Sequence, residues 1–237
     1  MSVAQLPGEA RVLTDPIAAA AGLSEWITDR CHRRGAFRIA ATGGRTPRFL
    51  YEALASSTFR ERIDWSSWHV FFGDERAVPA DDALSNYRLV HDTLLSKVAV
   101  PAAQVHRMAA ERPDIDAAAA EYSQLLEERA GRPPLLDVVL LGLGSDGHTA
   151  SLFPGSAALD VDGAWATRGR SPQAPFDRIT VTLPVLNAAA HVVFLVTGAE
   201  KAEALRGVID GSVPAARVRP DGELLWFLDS AAARALG

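Results

Sequence analysis

The sequence predicts an α/β protein with a mostly parallel sheet that carries helices on both faces. Short apolar runs of strand length alternate with longer segments of helical spacing along the 237 residues, which is the pattern of repeated strand–helix units. No internal repeat, low-complexity tract or long linker interrupts this alternation. We therefore expect residues 1–237 to form a single α/β domain.

The composition narrows the class of function. Hydrophobic residues make up 48% of the chain and charged residues 22%, which is typical of a globular protein. The net charge of −5 disfavours a binder of nucleic acid or of acidic membranes, although a few local cations can still hold a small phosphate. A single cysteine, Cys31, excludes an intrachain disulfide. No apolar run approaches the ~20 residues of a membrane span, and the N-terminus lacks the pattern of a secretory signal, so we expect a cytoplasmic protein.

The predicted elements begin and end at recognisable residues. Asp15 and Thr46 each stand before a proline, as at the start of a helix, and Ser85 is a further candidate N-cap. Gly35 and Gly131 are candidate helix stops. The predicted strands cover residues 9–13, 37–42, 68–72, 104–108, 137–141, 165–168, 178–183, 191–197 and 223–228. The predicted helices cover residues 16–34, 47–55, 86–98, 114–130, 184–190 and 199–210, and a short alanine-rich helix ends the chain.

A glycine pair follows the second predicted strand and precedes a helix. Gly43, Gly44, Arg45 and Thr46 occupy this turn. Free N–H groups and the positive end of the helix dipole converge at such a place, so the turn can bind a phosphate. The Gly-Lys-Ser/Thr ending of a Walker A loop is absent. The same residues also fit a plain strand–helix turn in which the glycines serve geometry alone.

Charged residues follow the third long strand. Gly73, Asp74, Glu75 and Arg76 come directly after residues 68–72. Open α/β sheets place ligand sites at the carboxyl ends of their strands, and a solvated loop is the equal alternative.

A second glycine-rich turn follows the strand at residues 137–141. It presents Asp146 and His148, and a short helical segment is expected before Phe153. The run 142–147 matches G-x-G-x-x-G, but Pro154 would end any helix too early for a dinucleotide site. A zinc site is disfavoured because no other His or Cys stands nearby in sequence. An imidazole beside a carboxylate favours general base catalysis with water, or proton transfer on a sugar.

The strand ends share one edge of a parallel sheet, so the three turns should converge there. Candidate cations for an anionic substrate are Arg45, Arg76, Arg168, Arg178 and Lys201. Each arginine taken alone also fits an exposed surface residue. Lys201 is better placed, since a cation in the first turn of a helix is unfavourable without an anionic partner.

These residues resemble a known family. The matching blocks are residues 42–47 (Thr-Gly-Gly-Arg-Thr-Pro), 72–76 (Phe-Gly-Asp-Glu-Arg), 85–88 (Ser-Asn-Tyr-Arg), 142–155, 178–184 and 197–201. Their order and the specific third turn resemble 6-phosphogluconolactonases, of the glucosamine-6-phosphate isomerase/6-phosphogluconolactonase superfamily. The resemblance implies a Rossmann-like three-layer α/β/α fold and the hydrolysis of 6-phospho-D-glucono-1,5-lactone in the pentose phosphate pathway. It implies no metal or organic cofactor for catalysis. The expected partner is the small sugar-phosphate substrate, with no nucleic acid and no membrane, and we expect a monomer or a weak homo-oligomer.

The resemblance also implies roles for individual residues. His148 is expected to be the general base, and Asp146 and Asp74 are expected to position His148 or the sugar hydroxyls. The expected substrate and phosphate contacts are Gly43, Gly44, Arg45, Thr46, Arg76, Arg178 and Lys201.

The related isomerase/deaminase is the main alternative. It carries a glutamate five residues beyond the matching histidine, where this chain has Phe153, and a Met-Asp-Glu-Tyr-like run in place of residues 73–76. A phenyl ring cannot exchange a proton, so hydrolysis is favoured over isomerisation. A non-catalytic sugar-phosphate-binding protein is the third possibility.

Overall fold

The computed structural model describes residues 6–31, 35–133 and 135–236. The strands are β1 (Glu9–Leu13), β2 (Phe37–Ala41), β3 (Trp68–Phe72), β4 (Asp74–Arg76), β5 (Val138–Leu141), β6 (Ala166–Arg170), β7 (Asp177–Val181), β8 (His191–Val196) and β9 (Glu223–Asp229). The α-helices are α1 (Pro16–Cys31), α2 (Arg45–Leu54), α3 (Ser57–Arg60), α4 (Asn86–Thr93), α5 (Ile115–Ala130), α6 (Leu183–Ala188), α7 (Ala202–Asp210) and α8 (Ser230–Ala233).

The central sheet has six strands in the order β1-β9-β8-β5-β2-β3. Every pair in it is parallel, and helices connect the strands. All four residues of β5 are buried, as are all residues of β8 after His191. Strands without an exposed side belong to a sheet that is covered on both faces. The mostly parallel α/β fold predicted from the sequence is confirmed.

A second, antiparallel sheet was not predicted. It has the order β4-β7-β6 and begins directly after β3, because Gly73 bonds to both sheets: its N–H donates to the Ala41 carbonyl and its carbonyl accepts from the Val181 N–H, each at 2.9 Å. The charged run, for which a solvated loop was one of two equal alternatives, is therefore strand β4. In this register Asp74 faces Thr180 and Arg76 faces Arg178.

Some predicted boundaries are wrong. Helix α2 begins at Arg45 with Gly44 as its N-cap, so Thr46 lies inside the helix. The expected strand at residues 104–108 is a 3-10 helix (Ala102–Gln104) followed by a single bridge from Val105 to Val70. The short helical segment expected after His148 is a turn closed by a bridge between Thr149 and Leu152.

Other boundaries differ by less. Helix α4 ends at Thr93 and a 3-10 turn follows, where the sequence predicted helix to residue 98. Residues 32–34 of the first predicted helix lie outside the described residues. No helix in the described part of the chain is long and apolar enough to cross a membrane.

Candidate active site

A cavity of about 540 Å³ lies at the carboxyl edge of the central sheet. The turns after β2 and β5 and strand β4, which follows β3, all border it, which confirms the predicted convergence. Nine of the ten predicted site residues line the cavity: Gly43, Gly44, Arg45, Thr46, Asp74, Arg76, His148, Arg178 and Lys201. The tenth, Asp146, lies directly behind His148.

Asp146 fixes the protonation pattern of His148. Its Oδ1 lies 2.5 Å from His148 Nδ1 and accepts the His148 backbone N–H at 3.1 Å. A carboxylate accepts hydrogen bonds only, so in the neutral ring the proton sits on Nδ1 and Nε2 carries the lone pair. Partial burial acts to raise the pKa of Asp146, but the hydrogen bonds from the His148 ring and N–H outweigh it, and the pKa is lowered. In this tautomer the pair presents an imidazole base backed by an anion.

Glycines shape the turn that carries His148. A Cβ on Gly144 would lie 2.1 Å from His148 Nδ1. Gly147 has φ 77°, and a Cβ there would lie 2.3 Å from Val213. The motif that resembled a dinucleotide fingerprint thus provides room for the imidazole. Ala150 adopts φ 48° in the same turn, a left-handed conformation that is strained for a residue with a side chain.

Phe153 packs on the catalytic candidate. Its ring centroid lies 4.3 Å from that of His148, and the buried side chain borders the cavity. The imidazole thus meets an apolar surface on this side, at the position where the isomerase/deaminase pattern has a glutamate.

The start of α2, where the sequence predicts an anion cradle, borders the cavity. The N-cap Gly44 supplies no side-chain cap, so the first-turn N–H groups have no capping side chain. Thr46 Oγ1 lies 2.9 Å from Thr197 Oγ1, which joins the cradle to the end of β8. Lys201 stands at the N-cap of α7 after a short 3-10 turn and borders the same cavity.

A buried cation and a buried carboxylate also border the cavity. Arg178 is 8% exposed and Asp74 is 7% exposed. Arg178 Nε and Nη1 find no hydrogen-bond partner among the described residues. Burial lowers the pKa of Arg178 and the neighbouring Arg76 lowers it further, while Asp74 and Glu75 oppose this. An anionic group bound beside Arg178 would compensate this desolvated charge.

Glu75 is a residue whose role the sequence reasoning missed. Its carboxylate accepts hydrogen bonds from the backbone N–H groups of Arg76, Asn86 and Tyr87, each at 2.8 Å, and from Ser85 Oγ at 3.0 Å. Burial is the largest influence and raises the pKa of Glu75. Glu75 therefore ties the start of α4 to β4. The candidate N-cap Ser85 marked the start of α4 in the sequence, but no local pattern predicts that Glu75 binds there.

Arg168 is a wrong candidate for anion binding. Its guanidinium pairs with Asp177 at 2.7 Å and with Asp116 at 3.3 Å, outside the cavity. Among the described residues, no group of three or more His, Cys, Asp or Glu side chains could hold a metal ion.

Comparison with known proteins identifies the family. The family model described as glucosamine-6-phosphate isomerases/6-phosphogluconolactonase matches residues 16–226. The chain belongs to this family.

Individual relatives within this family carry the name 6-phosphogluconolactonase. A Synechocystis protein named 6-phosphogluconolactonase is 43% identical over 215 residues, with 87% of each chain covered. A Nostoc protein of the same name is 42% identical over 209 residues, covering 84% of this chain and 85% of the relative. The structure of 6-phosphogluconolactonase from Trypanosoma brucei matches with a TM-score of 0.85 at 28% identity, covering 98% of this chain and all of that one.

The isomerase side of the family shares the fold. A monomeric glucosamine-6-phosphate deaminase matches with a TM-score of 0.83 at 18% identity, over 96% of this chain and 99% of that one. The overall fold therefore does not distinguish a lactonase from a deaminase. Only the residues of the site can distinguish them.

Proposed function

We propose that this protein hydrolyses 6-phospho-D-glucono-1,5-lactone to 6-phospho-D-gluconate. The relatives named 6-phosphogluconolactonase, at 42–43% identity over most of the chain, support this reaction. The observation that carries it within the site is His148, whose Nε2 is free and whose other ring nitrogen is held by Asp146. Phe153 on the ring leaves no second acid at the position that the isomerase/deaminase pattern requires.

The proposed chemistry uses water as the nucleophile. His148 Nε2 takes a proton from water as the oxygen attacks C1 of the lactone. The tetrahedral intermediate then collapses, the bond from C1 to the ring oxygen breaks, and the imidazolium returns its proton to that oxygen. Asp146 stabilises the imidazolium between the two steps and holds the ring in the required tautomer.

Substrate binding divides between two groups of residues that border the cavity. The first turn of α2, with Gly43, Gly44, Arg45 and Thr46, and Lys201 are the proposed phosphate contacts. In the second group, Asp74 is the proposed acceptor for sugar hydroxyls, and Arg76 and Arg178 are the proposed contacts of the lactone group. The two unpartnered nitrogens of Arg178 support the assignment of this cation to the negative charge that develops on the C1 oxygen.

The test is an assay that generates the lactone in situ from glucose 6-phosphate. The disappearance of the lactone is followed and compared with its spontaneous hydrolysis in the same buffer. We expect acceleration proportional to enzyme concentration; a rate equal to that of buffer would refute the function. Ammonia release from glucosamine 6-phosphate would favour the isomerase/deaminase instead, and saturable binding of 6-phosphogluconate without turnover would favour a binding protein.

Three further expectations from the sequence stay predictions: a single catalytic domain, a cytoplasmic location, and a monomer or weak homo-oligomer. The family match over residues 16–226 supports the first. Sedimentation equilibrium over a range of protein concentrations tests the last.

A further inference from the structure

The carboxylate of Asp74 is held at both oxygens by neutral side chains. Ser151 Oγ donates to Asp74 Oδ2 at 2.6 Å, and Asn86 Nδ2 donates to Asp74 Oδ1 at 3.0 Å. Both donors are 1% exposed. Two buried donors on different parts of the chain restrict the carboxylate to one orientation.

The Asn86 amide has only one possible orientation. Its Nδ2 also donates to the Asp74 backbone carbonyl at 2.9 Å, so both of its partners are pure acceptors and the nitrogen must face them. Asn86 Oδ1 is then directed to the place where a Cβ on Gly43 would lie, at 1.7 Å from it, and finds no donor among the described residues. A buried orphan oxygen costs free energy. We infer from this unpaired oxygen that the amide is oriented by its two hydrogen bonds to Asp74.

The backbone of Asn86 is fixed from the other side. Its N–H donates to Glu75 Oε1, and the next N–H, of Tyr87, donates to Glu75 Oε2, each at 2.8 Å. The amide that grips Asp74 is therefore anchored to the residue adjacent to Asp74 in the chain.

Ser151 brings the second constraint from the turn of the catalytic histidine. It stands three residues after His148, and its N–H donates to Thr180 Oγ1 at 3.2 Å. Thr180 faces Asp74 across the β4–β7 ladder. Gly169 leaves room for this contact, since a Cβ there would lie 2.9 Å from the Ser151 carbonyl oxygen. Ser151 thus connects the turn after β5 to the strand after β3.

We propose that Ser151 and Asn86 are positioning residues that orient Asp74 towards the substrate. Each occupies one site on a carboxylate oxygen and leaves the remaining lone pairs for a sugar hydroxyl. Ser151 additionally fixes the position of Asp74 relative to His148, so that hydroxyl recognition and proton transfer act on the same substrate pose. This inference rests on the proposed role of Asp74 in binding the sugar.

Ser151→Ala tests the proposal, with Thr149→Val as the matched control. Thr149 is also 1% exposed in the same turn, but its hydroxyl donates to the Gly142 carbonyl and not to Asp74. We expect Ser151→Ala to weaken binding of 6-phosphogluconate about tenfold in calorimetry, while inorganic phosphate, which needs only the cradle, binds as before. Thr149→Val should leave both affinities within about twofold even where it lowers Tm.

A double-mutant cycle separates positioning from general disruption. In an Asp74→Asn background, Ser151→Ala should change the 6-phosphogluconate affinity by less than about twofold, because its target is already altered. Equal losses in both backgrounds, or an unchanged affinity in the single variant, would overturn the proposal. Should Ser151→Ala not fold, Asn86→Asp tests the same clamp by replacing its donor with an acceptor of the same size.

Binding is measured without turnover, so the outcome does not depend on lactonase activity. Failure of the in situ lactone assay would refute the proposed function alone. Where the wild type is active, we also expect Ser151→Ala to lower kcat about tenfold or more, with Thr149→Val near wild type.

Discussion

Two pairs of residues place a histidine against a polar partner, and they behave differently. His148 borders the cavity, and its Nδ1 meets the carboxylate of Asp146. His106 is 6% exposed, and its Nε2 meets Nδ1 of His69 at 3.2 Å. Burial lowers the pKa of His106 to about 4, with smaller contributions from His69 and Arg129. Burial also lowers the pKa of His69, with help from Arg38 and Arg129.

The difference shows that burial and the partner together decide what an imidazole can do. An anionic acceptor stabilises the protonated ring that general base catalysis produces. Burial disfavours that form, and a second imidazole and nearby arginines add to the effect, so the His69–His106 pair is neutral near neutral pH. The ring centroid of His106 lies 4.5 Å from that of Phe71. The sequence placed both histidines of this pair at scattered positions, and only the fold brings them together.

The largest expected effect is on the catalytic pair. His148→Ala should lower kcat by about 10²–10⁴-fold, the usual contribution of a general base. Binding of 6-phosphogluconate should fall far less, because the cradle at α2 remains. The control is His91→Ala, since His91 forms an exposed pair with Asp92 at 3.0 Å outside the cavity. Full activity in the His148 variant would remove its proposed role.

The next effect concerns stability and pH. Unfolded histidine titrates near 6.5, whereas His106 in the folded protein titrates near 4. Between these values the unfolded chain binds the proton more tightly, so the free energy of unfolding falls as pH falls from about 6.5 to about 4. The loss is at most about 3.5 kcal/mol, at about 1.4 kcal/mol per pKa unit.

Denaturant titrations across this pH range measure that slope. His106→Phe removes the group, so the difference between wild type and variant isolates it from the carboxylates that titrate in the same range. Parallel pH curves for the two proteins would contradict the contribution of His106.

Asp146→Asn should have a smaller effect on catalysis. An amide nitrogen facing the ring would donate to Nδ1 and shift the proton to Nε2, which removes the free lone pair. We expect kcat to fall about 10- to 100-fold, less than for a fully buried triad because Asp146 is partly exposed. Asp92→Asn, on the exposed pair, is the matched control and should keep the wild-type rate.

The smallest expected effect is that of the buried histidine pair on catalysis. His106→Phe should leave kcat/KM within about twofold near neutral pH, since neither His69 nor His106 borders the cavity. A loss comparable to that of Asp146→Asn would show that the two histidine pairs are coupled, and would end the distinction between them.

Much of the site could be predicted because its signals are local. Asp146 and His148 are two residues apart, so one Asx turn brings the carboxylate to the ring. The glycine cradle precedes a helix directly, and its anion-binding geometry belongs to any helix start. The predicted start of α2 is wrong where a tertiary contact overrides local preference. Thr46 does not cap the helix, and its hydroxyl instead hydrogen-bonds with that of Thr197.

The sequence by itself determined the parallel α/β fold, the family, and the pairing of a histidine with its carboxylate. The reason is that hydrophobic periodicity, glycine turns and short spacings act within a few residues. Only the tertiary structure decided which distant charges enter the site. Arg168 and Arg178 both lie on strands of the small sheet, yet one pairs with Asp177 and the other is buried beside Asp74. Strand alternation places the two arginines on opposite faces of the small sheet, but only the packing of β4, β6 and β7 beyond β3 decides which face borders the cavity. The same packing brings Ser151 to Asp74 across 77 residues of chain.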